Sequence, residues 1–219
     1  MGTRARIYLP ALAIASLLAL AAIASSHDGE GATTGPQPIS EQVRRDGLHF
    51  DPTVAEADRQ AVLAAIASAP QARALVDVVD GLVDVHVGPS GGHSVGLTES
   101  RGARYSVTLD LGTVAQRYGQ RGIARLVLHE LGHVVDFALV PESLDRELDA
   151  GIPAGLGCEQ GVLGGCANRE ERFAETYAKW ALGDIGVSLN IGYKVPPPLL
   201  PLEAWGAPLA RLATDAQAG

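Results

Sequence analysis

Apolar positions recur along this chain with two periods. Leu82-Val83-Asp84-Val85-His86-Val87 and Tyr105-Ser106-Val107-Thr108-Leu109-Asp110-Leu111 alternate apolar with polar residues, the period of half-buried strands. Thr53-Val54-Ala55-Glu56 has the capping-box pattern and opens an Ala-rich helix to about Ser68, which Pro70 stops. A second short helix is predicted over 71–80, with Gly81 as its C-terminal residue. Residues 88–102 are rich in glycine and read as a loop. A short helix over 113–118 precedes a long apolar helix over 122–140 that Pro141 ends, and 141–149 fits another helical turn or two. Residues 151–165 read as loop, and 168–182 as a helix with apolar spacing at Phe173, Tyr177, Trp180 and Ala181. A stiff Pro196-Pro197-Pro198 connector leads to a last amphipathic helix over 202–212. No internal repeat interrupts this order. Short strands before two helices able to face each other predict an α+β fold.

The first residues have the pattern of an export signal. Arg4 and Arg6 precede an apolar run from Ile7 to Ile23, and Ala22-Ile23-Ala24 has the small-x-small form of a cleavage site. The run is short for a spanning helix and contains Pro10, so residues 1–24 read as a cleaved signal; retention as an N-terminal anchor is the alternative, and the only route to a membrane. Residues 25–45, polar and rich in Gly, Pro, Ser and Thr, read as a flexible linker, and 46–219 as one domain. Loss of 1–24 leaves 15 basic residues against 25 acidic, a net charge of about −10. That excess argues against nucleic acid as a partner. Cys158 and Cys166, an even pair in an exported chain, predict one disulfide closing a small loop.

Within the long apolar helix stand His129-Glu130-Leu131-Gly132-His133. Histidines four apart lie one turn from each other on a single helical face, so both imidazoles can grip one zinc ion, with Glu130 beside them to handle protons. Two imidazoles and a carboxylate in a core helix without a shared ion would be costly. A catalytic zinc takes three protein ligands and leaves the fourth position open. The metzincin pattern does not supply the third: six residues beyond His133 stands Leu139, Asp136 replaces the glycine of the turn, and Met1 is the only methionine. The remaining source is a carboxylate on a later helix. Glu171 and Glu175 are four apart, so either reaches zinc while the other supports a histidine from behind, and spacing alone does not choose between them. Asn168 with Glu171 three later is also a helix-start pattern in which Glu171 merely caps. Asp136, one turn beyond His133, is placed to accept from an imidazole, to pair with an arginine, or to serve as an alternative ligand.

HELGHVVD, followed by EERFAE with its Glu171 38 residues after His133, resembles the zinc peptidase domain of the anthrax lethal-factor type, the gluzincin group that includes the Pro-Pro endopeptidases. The likeness is specific over 122–138 and 168–178, vague back to Leu82, and absent from the first 80 residues. It implies a zincin-like domain, a small sheet packed on the His129–His133 helix with a ligand-bearing helix after it. It implies His129, His133 and Glu171 as ligands of one Zn2+, Glu130 as general base, Glu175 in support, and a peptide or protein as substrate. The family places an oxyanion-steadying tyrosine seven residues before the ligand glutamate; here that position is Gly164, leaving Tyr177 and Tyr193 as candidates.

Together these expectations describe an exported zinc-dependent endopeptidase, in which Glu130 takes a proton from zinc-activated water as it attacks a peptide carbonyl. The strand ending near Leu111 offers an edge for an extended substrate. The alternatives are a non-catalytic zinc-stabilised binding domain, for which the missing tyrosine speaks, and a cell-wall hydrolase with the same metal. Gly132 leaves the helix face bare, as a packing notch or a point of close approach. His86 reads as a satisfied or solvent-facing strand residue and His93 as a loop residue; His27 and His49 carry no signal.

Overall fold

The computed structural model describes residues 47–91, 94–153, 167–184 and 195–218. The candidate signal and linker, Cys158 and Cys166, His93, Gly164 and Tyr193 lie outside these residues. The described chain is α+β, with six helices and a four-stranded mixed sheet.

The chain enters through β1 (His49–Phe50), a two-residue strand that no sequence period announces. Next come α1 (Glu56–Ala67), α2 (Pro70–Val79), a 3-10 turn over Asp80–Leu82, and β2 (Val83–Val87). The expected capping box at α1 does not form. Thr53 is held by Asp51, whose Oδ1 accepts both the Thr53 N–H (2.8 Å) and its hydroxyl (2.5 Å), so Ala55 takes the N-cap place without a side-chain bond. Pro70 begins α2 rather than merely stopping α1, because its missing N–H costs nothing in a first turn. Gly81 lies within the 3-10 turn and does not cap α2.

Residues 88–102 are not all loop. Gly96–Arg101 form β3, which pairs antiparallel with β4 (Arg104–Leu109), from Gly96 opposite Leu109 to Arg101 opposite Arg104. Gly102 opens the two-residue turn with φ 69°, a conformation glycine adopts without strain. β4 also pairs parallel with β2, and β2 with β1, giving the order β1-β2-β4-β3. The strand before the metal-motif helix is therefore interior, and β3 carries the edge expected of β4.

Helix α3 (Leu111–Leu139) is two helical segments joined across Gly119, whose φ 63° and ψ −159° break the helix between the two predicted pieces. Asp110 caps its start by accepting the Thr113 N–H at 3.0 Å. Then come α4 (Glu142–Ala150), α5 (Arg169–Leu182) and α6 (Leu202–Ala218), which runs six residues beyond its expected end with Pro208 inside. No single described helix is long and apolar enough to cross a membrane.

The second segment of α3 lies in the core, packed between α5, α1 and the sheet. Leu126, Leu128, Leu131, Val134 and Val135 are all at most 2% exposed. Gly132 sets the crossing with α5: a Cβ there would lie 3.1 Å from the Ala174 Cα and 3.0 Å from Tyr177 Cδ1. The bare glycine thus serves both expected purposes, a packing notch that admits a neighbouring backbone. That close crossing brings the motif face of α3 against the first turns of α5.

Candidate metal centre

Helix α5 begins where its sequence says. The Asn168 side chain accepts the Glu171 N–H at 2.9 Å, which satisfies one of the free amides of the first turn. The Glu171 carboxylate does not return to the cap. It reaches across to α3, with Oε2 3.1 Å from His129 Nε2 and Oε1 3.7 Å from His133 Nε2. Candidate donor atoms of His129, His133 and Glu171 all lie within 4.8 Å of one another. Donors about 2.1 Å from a tetrahedral zinc are about 3.4 Å apart, so these separations suit a single small ion. Two neutral-capable imidazoles and one carboxylate also suit a borderline metal such as zinc. The group can hold a metal ion.

Glu175 stands one turn further along α5, on the far side of His129. Its Oε2 lies 3.3 Å from His129 Nδ1, so Nε2 is the nitrogen turned toward Glu171 and His133. Arg125 donates to Glu175 Oε1 at 2.5 Å and is itself 4% exposed; Lys179 Nζ lies 3.7 Å from the same oxygen and also donates to the Val195 carbonyl. A buried carboxylate flanked by three cationic groups is a firm support for one imidazole. Burial works to raise the Glu175 pKa, yet the His129 hydrogen bond and the Arg125 charge bring it down to about 2. Burial works to lower His129, but its bonds to Glu171 and Glu175 hold it up at about 10. His133 goes the other way, pushed down to about 4 by burial and by the His129 charge. Its Nδ1 is buried with no hydrogen-bond partner among the described residues.

Glu130 is turned from α3 to β3. Thr98 Oγ1 lies 2.8 Å from Glu130 Oε2 and 3.2 Å from the Glu130 carbonyl oxygen, so its single proton is shared between them. Oε1 lies against Gly96, where an added Cβ would come within 2.1 Å of it. Burial raises the Glu130 pKa. These residues face a cleft of about 450 Å³. Its floor is the α3 stripe Arg125, His129, His133 and Phe137, and its walls are β3 and the start of α5.

Two expected roles do not survive. Asp136 is not against either imidazole. It is paired with Arg169, whose Nη1 lies 3.4 Å from its Oδ2 and also binds Asp145. Of the roles expected for it, the arginine pair is the one found, and burial raises its pKa to about 6. Tyr177 is not an oxyanion group. It is fully buried, stacked on Phe173 (6.1 Å between ring centres) and tilted against Trp180 (5.7 Å), and its hydroxyl has no partner among the described residues. The apolar stripe Phe173-Tyr177-Trp180 carried that answer. Among the described residues, the tyrosine on the cleft wall is Tyr118.

Sequence reasoning passed over Thr98, Arg125, Arg169 and Lys179. Arg125 stands four residues before His129 and Lys179 four after Glu175, so helical spacing marks both as neighbours of the site. No local signal marks Thr98, which belongs to a strand hidden in a glycine-rich stretch. His86 fits its expected place, half-exposed with Nδ1 3.5 Å from Asp51. No family model, no curated protein and no solved structure matches this chain.

Proposed function

We propose that this chain is a zinc-dependent endopeptidase of the lethal-factor-type gluzincin group, with a zincin-like domain. The observation that carries the reading is the convergence of His129, His133 and Glu171 from two helices, with Glu130 and the β3 edge beside them. His129, His133 and Glu171 would hold the ion. When bound, zinc supplies Lewis acidity, which acidifies water and polarises a carbonyl.

The chain's own groups supply the rest. Glu130 accepts the proton released by water as it attacks the peptide carbonyl carbon, and gives it to the departing amine as the C–N bond breaks. Its raised pKa suits that exchange, because an efficient general base titrates near the working pH. Thr98 fixes one Glu130 oxygen, and Gly96 leaves room for the other. Glu175, held by Arg125, fixes the His129 ring and tautomer. The edge of β3 offers unpaired backbone groups to an extended peptide, which would lie along the cleft as an added strand. Export to the cell exterior or surface belongs to the same reading and is supported by the pattern of residues 1–24.

The test is Glu130→Gln. The variant should keep its zinc and its melting temperature and lose cleavage of a denatured-proteome peptide library by about 10²-fold or more. Native protein that cleaves nothing in that library would overturn the peptidase reading in favour of a zinc-stabilised binding domain.

A further inference from the structure

The α3 stripe that floors the cleft ends on an unusual residue. From Arg125 to Asp136 every residue except His129 is buried, yet Phe137, next on the same face, is 44% exposed. It is not a stray surface aromatic. Its ring lies nearly parallel to that of His133, with centres 5.9 Å apart and planes at 19°, and nearly parallel to Tyr105 on β4, at 6.4 Å and 23°. The three rings form a row that starts at an inferred metal ligand and runs out of the cleft. Phe137 is fixed by this stacking, so little side-chain freedom is left to lose when something settles on it.

The two ends of the cleft differ chemically. Arg117 and Tyr118, before the break at Gly119, line the cleft toward the start of α3, and Phe137 lines it toward the helix end. Leu97, also on the cleft wall and 40% exposed, shares its strand with Thr98; alternation turns its side chain to the opposite sheet face, so it offers the cleft its backbone. Backbone on the wall and an open aromatic ring on the floor are the two features that strand addition uses, main-chain bonds for affinity and side-chain pockets for selection.

We infer that Phe137 is a specificity-determining residue, the floor of an apolar subsite for an aromatic or large aliphatic side chain of a peptide lying along β3. The subsite rests on the peptidase reading for the position of the reacting bond. It selects by apolar contact with the exposed part of the Phe137 ring, whose centre lies 5.9 Å from that of His133.

The test uses the full chain loaded with zinc and two N-acetylated hydroxamates, of phenylalanine and of glycine. They share the metal-binding group and differ in the side chain. Calorimetry should find the phenylalanine probe about tenfold tighter on native protein, the order expected for one added aromatic contact. Phe137→Ser should bring the ratio close to one, and Phe137→Trp should restore it. Equal affinities on native protein, or a ratio unchanged in Phe137→Ser, would overturn the inference. Zinc content is measured on each sample: a chain that takes up no zinc overturns both the subsite and the peptidase reading. A zinc-loaded chain that shows the ratio and cleaves no peptide keeps the subsite and loses only the peptidase.

Discussion

Gly96→Ala is the smallest change that reaches the proposed base. The glycine has no positive φ to protect, so an alanine meets no backbone strain there, and the whole effect is one methyl group. That methyl would lie 2.1 Å from Glu130 Oε1 and 2.7 Å from both Glu130 Cδ and Leu126 Cδ1. Carbon and oxygen sit comfortably at about 3.3 Å, so the carboxylate must retreat by about 1.2 Å or the strand must lift from the helix. If the carboxylate takes the whole shift away from β3, its 2.8 Å bond from Thr98 opens beyond hydrogen-bonding range. A misplacement of about 1 Å in a catalytic group costs about 10²-fold in rate. Crowding Leu126 as well should lower stability by about 1–3 kcal/mol, and each kcal/mol should lower the melting temperature by about 2–4 °C in a domain of this size. The assay pairs cleavage rate with bound zinc and melting temperature. The expected result is a loss of rate of about 10²-fold with zinc retained and a modest fall in melting temperature. Full activity at an unchanged melting temperature would refute the placement of Glu130 against β3.

Three further outcomes follow from the same geometry. Tyr177→Phe should leave activity unchanged and stability equal or about 1 kcal/mol higher, since it removes a buried hydroxyl without a partner; a loss of rate would return Tyr177 to the chemistry. Zinc binding near neutral pH should release about one proton, because in the metal-free form His129, held at about 10, is charged while His133, at about 4, is already neutral; calorimetry in buffers of differing ionisation enthalpy reads it, and zero release would contradict the His129 environment. Glu175, with its folded-state pKa lowered to about 2, contributes stability that is fully present above its ordinary pKa of 4.5 and lost as pH falls through about 2; Glu175→Gln should flatten that acid limb in melting curves, and an unchanged limb would show that the carboxylate is not held as described.

The helix of the histidine pair was legible because two histidines one turn apart are local, and because Pro141 and the apolar flanks fix where the helix lies. Glu171 was half legible. Asn168 announced the start of α5, but whether Glu171 or Glu175 faces the histidines depends on how α5 crosses α3. Gly132 and Ala174 set that crossing, which is a tertiary fact. The strand β3 escaped notice because its helix-facing positions are Gly96 and Thr98 rather than apolar residues. Space for Glu130 and a hydroxyl to hold it displaced the period that would have revealed the strand. β1 is too short to show a period at all. Thr53 has the sequence of a cap, but Asp51, two residues away, claims its hydroxyl. Arg125 and Lys179 look like ordinary charged helix residues in sequence, and only their burial around Glu175 gives them a role.

Bound zinc in native protein, Glu171→Ala and Glu175→Ala tests the central claim most directly. After dialysis against chelator-free buffer, elemental analysis should find one zinc per native chain, almost none in Glu171→Ala, and a weakened but present site in Glu175→Ala. Native chain without any transition metal, or a site emptied by Glu175→Ala while Glu171→Ala keeps its zinc, would contradict the account.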